Sequence, residues 1–158
     1  KLIIQKTHNL YMALIIREIN NSDDLIKIFK LRIEVFTFEQ NCPIEEEFDF
    51  YDNLNSGSTQ FIVEKNNECI GTARITYYSI DKIKIERVCI KKDKRELKVG
   101  TELMKRMHNK LINDDVRIVE ISAQISAINF YKKLGYIEEG DKYIEAGIEH
   151  IKMKKKLN

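Results

Sequence analysis

A basic loop between an apolar strand and a helix is the feature of this sequence best suited to chemistry. The run KIKIERVCI at 82–90 predicts a strand, and a helix is predicted from about Val99. Between them lie Arg95 and Lys98, followed by Gly100 and Thr101. Unpaired N–H groups and the helix dipole at such a helix start favour a phosphate. The spacing therefore predicts an anion site, and a solvated basic connection is the alternative.

A pair of adjacent aromatic residues lies in a short helix predicted over 125–134. Phe130 and Tyr131 are neighbours in sequence, so they point to different faces of that helix. One ring can therefore pack in the core while the other reaches a cleft. A structural role for Tyr131 is the alternative, and a functional role gains weight only in combination with the strand, loop and helix upstream.

Charge is distributed unevenly, although the formal net charge is only +2. Residues 91–98 carry five basic side chains against two acidic ones. Residues 39–52 carry six acidic side chains and no basic one: Glu39, Glu45, Glu46, Glu47, Asp49 and Asp52. We expect the acidic segment to attract cations and the basic segment to attract anions, with two solvated charge runs as the alternative.

Hydrophobic periodicity predicts the elements that position these residues. Ser22 is expected to cap the first helix and Gly135 to end the last one. Strands are expected at 14–19, 61–65, 68–78, 82–90, 116–122 and 150–156, and helices at 22–40, 99–112 and 125–134. The resulting order, β-α-β-β-β-α-β-α-β, predicts one mixed α/β domain with helices on both faces of a single sheet.

Length and composition indicate a single globular domain. The 158 residues are 43% hydrophobic and 33% charged, and one proline excludes collagen-like or Pro-rich disordered chains. Three cysteines without C-x-x-C spacing and three scattered histidines predict no metal site and reduced thiols in a cytoplasmic protein. No apolar stretch approaches the ~20 residues of a membrane span. Residues 1–11, ahead of Met12, are expected to be an N-terminal extension without function.

Several stretches of the sequence resemble the GNAT superfamily of N-acetyltransferases. They read E-R-V-C-I at 86–90, R-E-L-K-V-G-T-E-L-M at 95–104, A-Q-I-S-A-I-N-F-Y-K-K-L-G-Y at 123–136 and G-I-E-H-I-K-M at 147–153. The stretch R-I-E-V-F-T-F-E-Q-N-C-P-I-E-E-E-F-D at 32–49 further resembles a small bacterial subgroup. The resemblance implies one acetyltransferase domain at 12–158 with the acyl-CoA N-acyltransferase fold, which has a single mixed, mostly antiparallel central sheet and helices on both faces.

The resemblance also implies acetyl-CoA, or coenzyme A, as the cosubstrate, and no metal. The family's pyrophosphate loop reads R/Q-x-x-G-x-G/A, in which Arg95 and Gly100 match while Lys98 replaces the first glycine. Gln124 stands where the family usually has asparagine. The implied cofactor-binding residues are Val88, Cys89, Ile90, Arg95, Lys98, Val99, Gly100, Thr101, Gln124 and Tyr131.

The implied reaction is direct attack of an amine on the thioester in a ternary complex. An amine with a pKa of ~10.4 is mostly protonated at neutral pH, so a base is needed. Glu86 is the expected base, directly or through water, with an ion-paired carboxylate as the alternative. Tyr131 matches the family's tyrosine near the cofactor sulfur and would protonate the departing thiolate. A covalent acyl intermediate on Cys89 is a further alternative.

The acceptor is expected to be a small-molecule or peptide amine, and the charge of the acidic segment favours a cationic one. Arg32, Glu47, Asp49 and His150 are the expected acceptor-binding residues. Nucleic acid and membrane are not expected as partners, and a homodimer stays open. Two other functions remain as alternatives: a non-catalytic acyl-CoA-binding regulatory module, suggested by Lys98, and a nucleic-acid-associated domain, opposed by the small net charge.

Overall fold

A seven-stranded sheet runs through the computed structural model, which describes residues 14–158 apart from the side chain of Glu96. The strands are β1 (Ile15–Glu18), β2 (Thr59–Lys65), β3 (Glu68–Ser79), β4 (Lys82–Ile90), β5 (Ile118–Gln124), β6 (Ile137–Glu145) and β7 (Ile148–Lys156). The α-helices are α1 (Ser22–Arg32), α2 (Val99–Asn113) and α3 (Ile128–Lys133). A π-helix (Ile33–Glu39) continues α1, and 3₁₀ turns lie at Ile44–Glu46, Lys92–Leu97 and Ile125–Ala127.

The strand order in the sheet is β1-β2-β3-β4-β5-β7-β6. Every neighbouring pair is antiparallel except β4 and β5, which run parallel and meet only where Lys84 lies opposite Glu120. The predicted single, mixed and mostly antiparallel sheet is confirmed. The short parallel pairing leaves the rest of β4 without a strand partner on its β5 side.

The two long helices pack on opposite faces of β3 and β4. On one face, α2 presents Leu103, Met104, Met107 and Leu111, which are fully buried in the main hydrophobic core. That spacing of three and four residues keeps the apolar side chains on one side of the helix. On the other face, Leu31 of α1 packs with Val35 and Cys89 in a smaller cluster. The prediction of helices on both faces is therefore confirmed.

The structure corrects the predicted elements at three places. The helix predicted over 22–40 is α-helical only to Arg32 and continues as a π-helix over Ile33–Glu39. All nine residues of β6 are exposed, so this edge strand shows none of the alternation by which a half-buried strand is recognised, and it was not predicted. The cap of α1 is Asn21 rather than Ser22, because the Asn21 side chain accepts a hydrogen bond from the amide of Asp24 at 2.9 Å. The expected N-terminal extension lies outside the described residues. Among the described helices, none is long and apolar enough to cross a membrane.

His108 should make the stability of the protein depend on pH. It is a buried residue of α2, and its Nε2 lies 2.8 Å from the Tyr136 hydroxyl. Burial lowers the pKa of His108 from 6.5 to about 4. The unfolded chain therefore binds the proton more readily between these values, and the free energy of unfolding falls as pH falls through this window. At about 1.36 kcal/mol per pKa unit, His108 should contribute a loss of about 2 kcal/mol between pH 7 and pH 5.

The measurement is urea unfolding of the wild type and His108→Gln at pH 7 and pH 5. Glutamine cannot take up the proton, so the variant should lose less stability on acidification than the wild type. Carboxylates that titrate in this range affect both proteins alike, and the difference between the two isolates His108. Equal losses would show that His108 does not carry this pH dependence.

Candidate active site

A cavity of about 710 Å³ opens where β4 and β5 diverge. Its walls come from the π-helix, β4, the start of α2, the end of β5, α3 and the β6–β7 turn. Twelve of the residues predicted for the site line it: Glu47, Glu86, Val88, Cys89, Ile90, Arg95, Lys98, Gly100, Thr101, Gln124, Tyr131 and His150. Its volume is that of a cleft for a small organic ligand.

The backbone of β4 faces the cavity without a strand partner. Beyond Lys84 the described residues of β4 pair only with β3. Successive N–H groups of a strand point to alternate sides, so part of the amides of residues 85–90 face the gap toward β5. Such amides can donate hydrogen bonds to a ligand in the cavity.

A β-bulge in β4 directs two consecutive charged side chains toward the cavity. The pairing with β3 shifts between Thr72 and Arg74, opposite the bulged residues, and Arg87 has a φ of 53°. Regular alternation would place Glu86 and Arg87 on opposite faces of the sheet. Instead, both side chains reach toward Asp49: Arg74 Nη2 donates to Glu86 Oε2 and to Asp49 Oδ2, and Arg87 Nη2 lies 3.5 Å from that same Asp49 oxygen. Both residues are among those that line the cavity.

Three donors hold the Glu86 carboxylate. Its Oε2 accepts hydrogen bonds from Arg74 Nη2 at 2.9 Å and from the Thr76 hydroxyl at 2.8 Å. Its Oε1 accepts a bond from the Tyr78 hydroxyl at 2.8 Å. Glu86 is therefore ion-paired with Arg74, which was the alternative role expected for it, while Oε1 keeps a lone pair for a further donor.

Much of the acidic segment is neutralised by two buried arginines. Arg32 binds Glu47 and Asp52, and Arg74 binds Asp49 and Asp52. Burial raises the pKa of Asp52, but the hydrogen bonds from Arg32 outweigh it and leave the pKa below its usual value. Arg32 is fully buried beneath the wall, and neither Arg32 nor Asp49 is among the residues that line the cavity, whereas Glu47 is. The structure thus leaves the acidic segment with much less free negative charge than the sequence predicted.

The basic loop enters α2 through Lys98, whose φ of 56° is left-handed. Lys98 therefore adopts the backbone conformation that glycine allows most readily. Its side chain is exposed and reaches the cavity wall. A Cβ at Gly100 would lie 3.3 Å from the Phe130 ring, so packing against α3 favours glycine there. Val99 is buried in the core and does not line the cavity.

Arg95 lines the cavity, and its guanidinium already forms an ion pair with Glu39. Its Nη1 and Nη2 donate to the two carboxylate oxygens of Glu39, at 2.5 and 2.8 Å, and its Nε donates to the Ile90 carbonyl. The hydrogen bonds from Arg95 lower the pKa of Glu39. An anion at this loop would exchange with or join that ion pair.

Tyr131 is 8% exposed and packs edge-on against Phe130 and Tyr136. Burial raises the pKa of its phenol, which keeps it protonated. Within the described part of the chain the Tyr131 hydroxyl has no hydrogen-bond partner, and its oxygen is not fully buried. Since Tyr131 lines the cavity, its hydroxyl is available to a ligand there.

A second group of polar side chains lies across the cavity on β5, β6 and β7. Gln124 donates to Gln40 at 2.7 Å and joins the end of β5 to the π-helix. His150 Nδ1 donates to the Ile148 carbonyl at 2.8 Å, which leaves Nε2 without a partner among residues 14–158. Ser122 donates to Glu145 at 2.7 Å and also contacts the Tyr143 hydroxyl.

Sequence reasoning did not predict several residues of the cavity wall, which include Phe36, Gln40, Lys84, Arg87, Ser122 and Glu145. Arg87 carries no signal in a single sequence, because the bulge that turns it into the cavity contradicts strand alternation. Ser122 and Gln40 belong to elements that were predicted, and only the meeting of β5 with the π-helix brings them together.

The family of the chain follows from its similarity to known proteins. A family model described as an acetyltransferase (GNAT) domain matches residues 30–157. The uncharacterized N-acetyltransferase YjcF of Bacillus subtilis is 34% identical over 139 residues, covering 85% of this chain and 94% of its own. Protein ElaA of Escherichia coli is 32% identical over 136 residues, covering 84% of this chain and 88% of its own. The chain belongs to the GNAT acetyltransferase family.

Solved structures agree with this assignment. The crystal structure of Escherichia coli ElaA superimposes with a TM-score of 0.80 at 27% identity, over 90% of this chain and 99% of that one. An aminoglycoside 6'-N-acetyltransferase crystallised with coenzyme A has the same fold, with a TM-score of 0.70 at 15% identity over 91% and 97% of the two chains. The acyl-CoA N-acyltransferase fold is thereby confirmed.

Lys98→Gly should stabilise the protein, because a left-handed non-glycine residue carries a strain of about 1–2 kcal/mol that glycine does not. Part of this gain is offset by the greater freedom of glycine in the unfolded chain. We expect a net rise in Tm of about 2–4 °C for a chain of this length.

Lys98→Ala is the matched control, since alanine removes the same charge but keeps the Cβ that strains this conformation. Differential scanning calorimetry of the three proteins should rank glycine above both others. A glycine variant no more stable than the alanine variant would mean that Lys98 is not strained.

Proposed function

We propose that this protein is an acetyl-CoA-dependent N-acetyltransferase that transfers the acetyl group to an amine by direct attack in a ternary complex. The single observation that carries the proposal is the cavity between β4 and β5. It joins a basic helix start at one end to charged side chains at the other, with unpaired strand amides between them. Membership of the GNAT family supports acyl transfer as the reaction.

Binding of the donor is assigned to the basic loop and β4. The pyrophosphate of coenzyme A would accept hydrogen bonds from the first amides of α2, at Gly100 and Thr101, where the helix dipole favours an anion. Arg95 and Lys98 supply positive charge beside them. The fit is supported by the left-handed backbone of Lys98, because it preserves the turn that a glycine would otherwise provide. The amides of residues 88–90 would polarise the thioester carbonyl.

The chemical step needs one proton removed and one delivered. The amine nitrogen forms a bond to the thioester carbon, the carbon–sulfur bond breaks, and the sulfur leaves as a thiolate. Glu86 accepts the proton of the amine, directly or through water, and Tyr131 protonates the thiolate. The proposal for Tyr131 is supported by its protonated state and its unpartnered hydroxyl.

Direct attack is favoured over an acyl-cysteine intermediate by the state of Cys89. Burial raises the pKa of this thiol, so the nucleophilic thiolate is scarce at neutral pH. The described residues include no histidine hydrogen-bonded to it. Cys89 therefore forms part of the wall rather than acting as a nucleophile.

Acetyl-CoA should raise the Tm of the protein, because a ligand that binds only the folded state stabilises it by mass action. A concentration 100 times the dissociation constant should contribute about 2.7 kcal/mol, or several degrees. Release of free thiol should follow when amines are added, and a panel of polyamines, amino sugars, amino acids and peptides tests this. Absence of both a thermal shift at millimolar acetyl-CoA and thiol release would overturn the proposal. A thermal shift without turnover would instead identify a non-catalytic acyl-CoA-binding module.

Tyr131→Phe should separate catalysis from packing, because it deletes one oxygen and keeps the buried ring. We expect single-turnover acetyl transfer to slow by about 10²–10⁴-fold while acetyl-CoA still shifts the Tm. Tyr136→Phe is the control for packing, since Tyr136 is buried in the same aromatic cluster but does not line the cavity; loss of its bond to His108 should lower the Tm and leave the single-turnover rate unchanged. An unchanged rate in a folded, cofactor-bound Tyr131→Phe protein would leave water as the proton source.

A further inference from the structure

Three arginines lie near the end of the cavity at Glu86, which we call the acceptor end. They differ in how closely their guanidinium groups contact carboxylates. Arg32 and Arg74 are 0% and 1% exposed, and all their contacts with carboxylates lie between 2.5 and 3.0 Å. Arg87 instead lies 3.5 Å from an Asp49 oxygen and 4.0 Å from a Glu47 oxygen. Its best hydrogen bond, from Nη2 to the Glu46 carbonyl, measures 3.3 Å. Arg87 is therefore held loosely.

Part of the Arg87 guanidinium faces open space. The side chain is 23% exposed and lines the cavity. Nη1 has no hydrogen bond to any described residue and is not enclosed, so it is open to a ligand. Arginine presents such N–H groups as a planar fork that matches a carboxylate.

Two unfavourable features coincide at this residue. Arg87 is left-handed in the middle of a strand, and its Nε is buried without a partner in the part of the chain that the structure describes. A strained backbone and an unsatisfied buried donor each destabilise a protein. Strain of this kind concentrates at sites where it serves function. Its consequence here is that the Arg87 guanidinium lies on the same side of the sheet as Glu86, because both side chains reach Asp49, Arg87 directly and Glu86 through Arg74.

Opposite charges thus stand side by side at the acceptor end. Glu86 can accept a proton or hydrogen bond from an ammonium group on Oε1, and Arg87 can donate to an anion next to it. A ligand that satisfies both carries an amine and a carboxylate separated by a short linker. An α-amino acid has this arrangement, whereas a polyamine or a simple cationic amine would leave Arg87 with only its long contacts to the Glu46 carbonyl, Glu47 and Asp49.

We propose that Arg87 binds the carboxylate of the acceptor and that the acceptor class is the α-amino acids. The inference rests on the proposed acetyl transfer and identifies the acceptor of the same cavity. It replaces the expectation of a purely cationic acceptor, because Arg32 and Arg74 already pair with three of the six carboxylates of the acidic segment, Glu47, Asp49 and Asp52.

The test compares each of several L-amino acids with the amine formed by its decarboxylation. In the wild type, kcat/KM for the amino acid should exceed that for the matched amine by about 10²-fold, as expected for a charge pair whose partner is removed. In Arg87→Gln the ratio should fall to near 1. Arg87→Lys should recover part of it, since lysine keeps the charge but not the fork. Comparing ratios between variants cancels the different pKa values of the two amines.

Two controls separate recognition from folding. Arg87→Gly removes the guanidinium but suits a φ of 53°, so its Tm should equal or exceed that of the wild type while the ratio still collapses. Arg117→Gln removes an exposed arginine that does not line the cavity, and the ratio should stay at its wild-type value.

The outcomes distinguish this inference from the proposed function. Equal kcat/KM for amino acids and their decarboxylated amines in the wild type would overturn the role of Arg87 and leave acetyl transfer intact. A ratio that persists in Arg87→Gln would show that another group binds the carboxylate. If Arg87→Gln raised the KM for acetyl-CoA by as much as it lowered the ratio, Arg87 would bind the phosphates of the donor instead. If no amine were acetylated, both the proposed function and this inference would be wrong.

Discussion

Asp52 hydrogen-bonds to two buried arginines, and the acceptor end of the cavity depends on this arrangement. Arg32 ends α1 and Arg74 lies within β3, so one carboxylate joins a helix, a loop and the sheet. A buried guanidinium without a counterion is unfavourable by several kcal/mol. The loop at 47–52, which has almost no regular structure, is therefore held in place mainly by charge. Its position determines which carboxylates remain for a ligand.

The cavity forms because β4 loses regular pairing with both neighbouring strands. On one side a bulge interrupts the pairing with β3 at Arg87, and on the other side the pairing with β5 ends after Lys84. The first irregularity turns two charged side chains into the cavity, and the second leaves backbone donors facing it. Both lie within a strand whose Ile83, Ile85 and Ile90 are buried in the main hydrophobic core, so the irregular backbone is attached directly to that core.

The sequence predicted elements whose signal is local. Apolar residues at helical spacing define α2. Asn66 and Asn67, with φ values of 53° and 62°, form the turn in the two-residue gap between the strands predicted at 61–65 and 68–78. Twelve predicted residues of the site do line one cavity, although their roles are proposals. The sequence did not show β6, which lacks an apolar face, or Arg87, whose direction depends on the bulge. It also could not show the neutralised acidic segment, because the Arg32 pairs join residues 15 and 20 positions apart.

The exposed edge strand β6 has a consequence for how the protein behaves at high concentration. An edge strand offers unpaired backbone groups on which another chain could add by β-pairing. Along β6 stand four acidic side chains, Glu138, Glu139, Asp141 and Glu145, against the single Lys142, and Gly140, with a φ of 79°, lies where the pairing with β7 shifts. Lysines of neighbouring elements pair with Glu138 and Glu139, so the irregular backbone at Gly140, rather than charge, makes two such strands fit poorly. The opposite edge, β1, has only four residues. Both edge strands of the sheet thus disfavour aggregation by strand addition, although each of them exposes isoleucine side chains.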